Sequence, residues 1–407
     1  MSDSCKASFN GDVKVTSNID DVNKSSYNGD VTKSSYNGDA KKSSYNGDVT
    51  KSSYNGGVTK SSYNGDVIKT SCNDDLTKLS YNGDVTKSSY NGDVTMTSCN
   101  GDVNSNVIGP EERWLPIFQV DAFTDKPFSG NPAAICLVED RDLTDEEQQK
   151  IAAEMNLSET AYLRKLSDED DFSTGSKFSL RWFTPTKEID LCGHATLASA
   201  ATLFYIMGNP SPQLTFQTRS GALFAKRQGD YISLDLPENV PEPQERQAYS
   251  RLIQAIVGTT PVQDVLYCSS VGGDLLVRLA DDTTRSVLES LQPDMGGMMA
   301  AHTEGKLRGV AVTVKGTPDN GCVNAQGVGY DFISRFFSPW YGVPEDPVCG
   351  SAHTVLASYW ARELGKTDFY VRQCSPRGGD LKVRLREDGR VEVAGKAAVV
   401  LKGKIKI

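Results

Sequence analysis

Three side chains that can exchange a proton near neutral pH lie beside apolar runs of the sequence. They are Glu159, His194 and Asp346. A carboxylate at the mouth of an apolar strand loses hydration, which raises its pKa and lets it shuttle a proton near pH 7. We therefore predict acid/base catalysis by these three groups. Each also has a structural alternative: a solvated Glu159, a His194 satisfied by its neighbours at a helix start, and an Asp346 that caps a helix.

A second candidate feature is a Cys-Gly pair that occurs twice, as Cys192-Gly193 and as Cys349-Gly350. Each pair opens an apolar run, predicted as a helix, that ends at a glycine 16 residues after the cysteine. A helix start offers unpaired N–H groups and a positive dipole end, which bind anions. Glycine there lets a ligand approach the backbone. We predict that Gly193 and Gly350 bind a small molecule that carries a carboxylate; the alternative is two ordinary turn glycines.

The elements around these motifs indicate an α+β fold with internal duplication. An amphipathic helix opens at Thr144 and ends near Met155, and a strand follows from Thr160 to Leu163 with Glu159 at its mouth. The helix from Ala195 to Met207 carries no charge, which is typical of a helix buried on all sides. We predict two pseudo-symmetric halves, each a curved sheet wrapped around a central helix. The halves are placed at residues 114–236 and 237–407, and the last strands are free to return to the first half.

Residues 9 to about 107 form an array with a period of nine residues, typified by Ser26 to Ser34. Each repeat contains about one apolar residue, too little to offset an ordering entropy of roughly 1–2 kcal/mol per residue. We predict that residues 1–113 are a low-complexity, disordered region. Calcium-binding β-helices share the period, but they need paired glycines and a regular large apolar position, which this array lacks.

Composition limits the function classes. The chain of 407 residues has no apolar run long enough to span a bilayer, and its net charge of −10 disfavours nucleic acid or an anionic membrane as a partner. Nine cysteines without a Cys-x-x-Cys pair favour reduced thiols over a disulfide framework. The start of the sequence has neither the basic nor the apolar segment of a secretory signal. We expect a soluble, cytoplasmic protein.

Several segments, in this order and spacing, resemble the PhzF family of phenazine-biosynthesis-like isomerases. The likeness covers about residues 114 to 407 and is carried by residues 119–123 (QVDAF), 130–134 (GNPAA), 156–160 (NLSET), 190–196 (DLCGHAT) and 345–352 (EDPVCGSA). It implies a diaminopimelate-epimerase-like fold, usually in a homodimer, with the active site between the halves and no metal or organic cofactor. It further implies that Glu159 shuttles the proton of an isomerisation, that His194 and Asp346 assist, and that Gly193 and Ser351 contact a small-molecule substrate. Nothing in it extends to the repeat array.

One departure from the family pattern keeps other functions open. Cys349 stands where the phenazine enzyme has a threonine, and Cys192 is its equivalent in the first half. Paired thiols at opposing helix starts suit a cofactor-independent racemase or epimerase, in which one thiolate takes a proton and the other thiol returns it. Two buried, inert cysteines are the simpler interpretation, because His194 and Ser351 follow the isomerase pattern. A third hypothesis is a non-catalytic scaffold or regulatory protein that recruits partners through the array.

Overall fold

The structure is a computed structural model with two compact units, Met1–Arg113 and Trp114–Ile407. It describes residues 6–12, 16–19, 24–36, 41–55, 58–72, 78–90, 97–99, 107–108, 113–139, 143–167 and 171–407. Among these residues, no helix has the length and apolar character that a membrane span needs.

The described part of the N-terminal unit consists of short parallel strands. They are β1 (Lys6–Asn10), β2 (Thr16–Ile19), β3 (Lys24–Asn28), β4 (Ser34–Tyr36), β5 (Ser43–Asn46), β6 (Val49–Tyr54), β7 (Ser61–Tyr63), β8 (Val67–Cys72), β9 (Leu79–Tyr81), β10 (Val85–Tyr90), β11 (Thr97–Cys99) and β12 (Val107–Ile108). The odd-numbered strands form one six-stranded sheet and the even-numbered strands form another. Tyr27 pairs with Tyr45, 18 residues later, so two nine-residue repeats make one turn of a β-helix.

The sequence analysis predicted disorder here; the described residues form strands, because identical side chains stack from one turn to the next. The buried rings of Tyr27 and Tyr45 lie 4.8 Å apart and nearly parallel. Val31 is buried as well, and the buried hydroxyls of Ser25 and Ser43 are hydrogen-bonded at 3.0 Å. Asparagine amides form a ladder along the outside. The described repeats thus bury a set of tyrosines and valines, and neighbouring turns complete each other's hydrogen bonding; the buried residues are Tyr27, Val31, Tyr45, Val49, Tyr54, Val58, Tyr63, Val67 and Tyr81.

In the part of the C-terminal unit that the structure describes there are eighteen strands and six α-helices. Its strands are β13 (Trp114–Ala122), β14 (Asn131–Val138), β15 (Glu159–Lys165), β16 (Lys177–Phe183), β17 (Glu188–Ile189), β18 (Gln213–Thr218), β19 (Gly221–Gln228), β20 (Tyr231–Pro237), β21 (Glu242–Pro243), β22 (Val262–Cys268), β23 (Asp274–Leu279), β24 (Gly309–Lys315), β25 (Phe332–Ser338), β26 (Val343–Asp346), β27 (Asp368–Gln373), β28 (Gly379–Leu385), β29 (Arg390–Gly395) and β30 (Ala397–Lys406). Its helices are α1 (Asp145–Met155), α2 (Gly193–Ala201), α3 (Ser250–Val257), α4 (Arg285–Ser290), α5 (Met295–Ala301) and α6 (Ala352–Leu364), with 3₁₀ turns at Arg246–Tyr249 and Pro339–Tyr341.

The strands of this unit repeat one pairing scheme twice. In the first half β14 and β15 are parallel, β15 and β16 antiparallel, β16 and β18 parallel, and β18 to β20 antiparallel. In the second half β23 to β25 and β27 to β29 repeat this order of pairings. The predicted pair of pseudo-symmetric α+β halves is therefore confirmed. The halves join where β20 pairs with β29, and β30 pairs with β13 of the first half. We propose that the boundary between them follows β20, at residues 236–237.

Helices α2 and α6 occupy the centres of the two halves. All residues of α2 after Gly193 are buried, as are Ala352 to Trp360 of α6. The predicted helix through Met207 continues beyond Ala201 as a π-helical turn, Thr202–Ile206. Both helices are surrounded by sheet because they have no face that favours water. This packing holds the first turns of α2 and α6 inside the C-terminal unit.

The start and the end of helix α1 agree with the local signals in its sequence. Thr144 accepts a hydrogen bond from the backbone N–H of Glu147, and the Glu147 carboxylate accepts one from the backbone N–H of Thr144, which is a capping box. The helix ends at Asn156, whose left-handed backbone has a φ of 47°. The chain then enters β15 at Glu159, in parallel register with Ala133 of β14. This register brings Glu159 beside the loop that precedes β14.

Candidate active site

The starts of the two central helices face each other. A Cβ atom built on Gly193 would lie 3.6 Å from the Cα of Gly350, and one built on Gly350 would lie 3.7 Å from the Cα of Gly193. Both distances are ordinary contacts, so a methyl group would fit but would fill the gap between the two backbones. Glycine at both positions lets the two helix starts approach each other this closely.

Glu159 and His194 form a buried pair at this gap. The Nε2 atom of His194 lies 3.1 Å from Oε2 of Glu159, and their side chains are only 5% and 13% exposed, respectively. The hydroxyl of Ser158 lies 3.3 Å from the same ring nitrogen. His194 reaches this place because it occupies the first turn of α2, while Glu159 is the first residue of β15.

The pair is best described as a carboxylate and an imidazolium. Burial by itself would raise the pKa of Glu159, but the charge of His194 and its hydrogen bond outweigh burial and lower that pKa. Burial would likewise lower the pKa of His194, whereas the charge of Glu159 and hydrogen bonds with Cys192 and Glu159 raise it well above its usual value. Each partner stabilises the charged form of the other, as expected for opposite charges in a poorly hydrated site.

Asp346 belongs to the same polar network but has the opposite pKa shift. Its Oδ1 accepts hydrogen bonds from Nδ2 of Asn131 (2.8 Å) and from the backbone N–H of Val348 (3.1 Å). The Oδ1 of Asn131 in turn accepts a long hydrogen bond, 3.5 Å, from the hydroxyl of Ser158. Burial raises the pKa of Asp346, and the nearby charge of Glu159 adds to this effect although His194 opposes it. The pKa values of two carboxyl groups in one network are thus shifted in opposite directions.

The two cysteines of the duplicated motif are buried and sit at equivalent places. Sγ of Cys192 lies 3.4 Å from Nδ1 of His194, and Sγ of Cys349 lies 3.4 Å from the hydroxyl of Ser351. Burial raises the pKa of both thiols, to about 12 for Cys349. Both thiols are therefore protonated at neutral pH, despite their positions at helix starts.

Comparison with known proteins identifies this unit. The family model described as phenazine biosynthesis-like protein matches residues 120–403. The chain belongs to the phenazine biosynthesis-like, or PhzF, family. A cattle phenazine biosynthesis-like domain-containing protein is 53% identical over 71% of this chain and 98% of its own length. A Pseudomonas aeruginosa protein named as an uncharacterised isomerase is 43% identical over the same shares. The crystal structure of a PhzF-family protein from Enterococcus faecalis has 35% identity and a TM-score of 0.61, and the match covers 72% of this chain and 100% of that protein.

This family member has a charged group in its site that the sequence analysis missed. Arg308 donates a hydrogen bond of 2.7 Å to the hydroxyl of Ser351. Its Nε and Nη2 atoms bind the buried carboxylate of Asp274 at 2.8 and 2.5 Å. The positive charge of Arg308 also acts on the acidities of Asp346 and Cys349. A single arginine directly before an apolar strand was the only sequence signal. Asn131 and Ser158 lay inside the quoted motifs but had no assigned role.

The PhzF site also contains three atoms of metal-ligand type. They belong to Glu159, Cys192 and His194, and they lie within 4.8 Å of one another. However, the carboxylate and the thiol contact different ring nitrogens of His194, Nε2 and Nδ1. A single ion would coordinate only one of these nitrogens, so the observed arrangement suits a hydrogen-bonded relay better than a metal site.

Proposed function

We propose that this protein is a cofactor-independent isomerase that acts by acid/base proton transfer on a small carboxylate-bearing metabolite. The observation that carries the proposal is the opposite acidity of the two carboxyl groups in the buried network, with the pKa of Glu159 lowered and that of Asp346 raised. Such a pair provides a base and an acid at the same pH. Family membership supports the same reaction class, because relatives are named as isomerases.

In this proposal Glu159 takes a proton from one carbon of the substrate and returns it at another. The charge of His194 keeps the carboxylate ionised between the two steps and holds its orientation. Asp346, whose raised pKa favours the protonated form, donates a hydrogen bond to the negative charge that develops on the substrate. The backbone N–H groups at the starts of α2 and α6, with Gly193 and Gly350 allowing close approach, and the Ser351 hydroxyl, which Arg308 contacts, receive the substrate carboxylate.

The test is deuterium uptake from heavy water into a panel of small unsaturated and chiral carboxylates. Glu159→Gln keeps the shape of the side chain but removes the base, and we expect exchange to fall by about 10²–10⁴-fold. Glu154→Gln on the exposed side of α1 is the matched control and should leave exchange unchanged. Full exchange by the Glu159→Gln protein would exclude the proposed mechanism.

Thiol-based racemisation is the second candidate, because the duplicated cysteines lie at facing helix starts. The raised pKa of both thiols disfavours it, since a protonated thiol cannot take a proton. Under this mechanism Cys192→Ser and Cys349→Ser would each abolish exchange, while Glu159→Gln would remain active. We expect the reverse: both serine variants retain most of the exchange rate.

A further inference from the structure

A cavity of about 480 Å³ opens in the C-terminal unit away from the proposed catalytic groups. Its wall is formed by the loop after β13, the loop around Asn324, and the facing ends of β27 and β28. Glu159, His194 and Asp346 do not line it. Phe123 separates the two places: it lines the cavity, and its Cζ atom lies 3.5 Å from the position of a Cβ on Gly350.

The cavity wall carries more positive than negative charge. Five cationic side chains face two carboxylates, a balance of +3; the cations are Lys126, Arg285, Arg372, Arg377 and Lys396, and the carboxylates are Asp125 and Asp380. Carboxylates outside the wall reduce this balance, since Arg377 pairs with Asp121 and Arg285 with Glu289. Lys126 is exposed and makes no ion pair with any residue that the structure describes.

The donors of this wall are only partly used. Nη1 of Arg372 binds Asp380 at 2.6 Å, but its Nε is buried and has no hydrogen-bond partner among the described residues. Asp380 cannot supply that partner readily, because its oxygens also accept hydrogen bonds from the hydroxyls of Tyr330 (2.9 Å) and Tyr370 (3.1 Å). Nη2 of Arg372 likewise has no hydrogen-bond partner among the described residues but, unlike Nε, keeps solvent-accessible surface, so it is the nitrogen that a ligand oxygen reaches.

The aromatic lining and the volume of the cavity also limit which ligands it can bind. The rings of Tyr330 and Tyr370 lie 4.9 Å apart and, with Tyr231, give the wall an aromatic part. The volume of about 480 Å³ is within the range of pockets for small organic ligands and far exceeds a bare inorganic ion. Arginine guanidinium groups favour carboxylate and phosphate oxygens.

We propose that this cavity is a binding site for a small organic polyanion, either a phosphate ester or a polycarboxylate. The anionic groups bind Lys126 and the free edge of Arg372, and the organic part packs against the tyrosine rings. The site is independent of the proposed isomerisation, because it shares no residue with the catalytic groups.

The experiment is calorimetric titration of the full-length protein with phenyl phosphate, citrate and inorganic phosphate. We expect saturable binding of phenyl phosphate or citrate, and the stronger ligand identifies the anion class. Arg372→Lys keeps a charge for Asp380 but removes the Nη2 donor, and should weaken binding by about tenfold or more. Lys126→Ala should weaken it about threefold, because the side chain is exposed.

The control is Lys402→Ala, which removes an exposed lysine of β30 outside the cavity and should leave the Kd unchanged. Thermal unfolding verifies that each variant is folded, and if Arg372→Lys is not, the Lys126→Ala comparison decides. The proposal is overturned if the wild-type protein binds none of the organic anions saturably. It is also overturned if the folded cavity variants bind them as tightly as the Lys402→Ala control.

Discussion

The two carboxyl groups of the site should respond in opposite ways when their charge is removed. Glu159→Gln leaves the buried imidazolium of His194 without its counter-ion, 3.1 Å away in the wild type. Breaking a buried ion pair in this way costs about 3–5 kcal/mol, and we expect about 2–3 kcal/mol here because His194 can release its proton instead. For a unit of this size the loss corresponds to a Tm lowered by roughly 3–5 °C.

Asp346→Asn should leave the stability nearly unchanged. The asparagine keeps Oδ1, which accepts from Asn131 and Val348, and replaces Oδ2 with an NH₂ donor of similar shape. Because burial raises the pKa of Asp346, the fold disfavours its charge, and removing that charge costs little stability. The same substitution should lower deuterium exchange by less than the roughly 10²-fold that loss of such a donor costs, since the amide still donates a hydrogen bond.

Urea denaturation at pH 7, followed by tryptophan fluorescence, measures this contrast. All four tryptophans, Trp114, Trp182, Trp340 and Trp360, belong to the C-terminal unit, so the signal excludes the repeat array. Equal destabilisation by the two substitutions, or a larger loss for Asp346→Asn, would refute the opposite pKa shifts assigned to Glu159 and Asp346.

Two further predictions concern pH and the array. The stability difference between wild type and Glu159→Gln should be greatest between about pH 4.5, the ordinary pKa of Glu159, and about pH 6.5, the ordinary pKa of His194. It should decline as rising pH passes the raised pKa of His194, and also as falling pH passes the lowered pKa of Glu159; a constant difference from pH 5 to 10 would contradict this sign. Tyr45→Ala removes a ring stacked between two others, at 4.8 and 4.7 Å, and should destabilise its turn of the β-helix by about 3–5 kcal/mol. Hydrogen exchange of residues 24–90 measures this loss, with the exposed Thr50→Ala as control, and unchanged protection would show that the stack is not what orders the array.

Sequence reasoning found one side of the site and missed the other. Glu159, His194 and the Cys-Gly turns were identified because each lies at the end of an element whose start or stop has a local signal. Arg308 and Asp274 were not, because nothing near them in the chain indicates that they pair with each other across 34 residues and orient Ser351 across 43. Contacts of this kind depend on which strands become neighbours, and strand neighbours are not encoded locally.

Local patterns in the chain were enough to predict the duplication, the two buried central helices and the glycines at their starts, because these follow from periodicity and from the conformational freedom of glycine. The pKa shifts could not be predicted in this way: the same carboxyl group has a lowered pKa at Glu159 and a raised one at Asp346, because folding places different neighbours beside each. The array shows the same limit. A single repeat buries too little to fold, and its order comes from identical side chains 18 residues apart that become neighbours only when the turns stack.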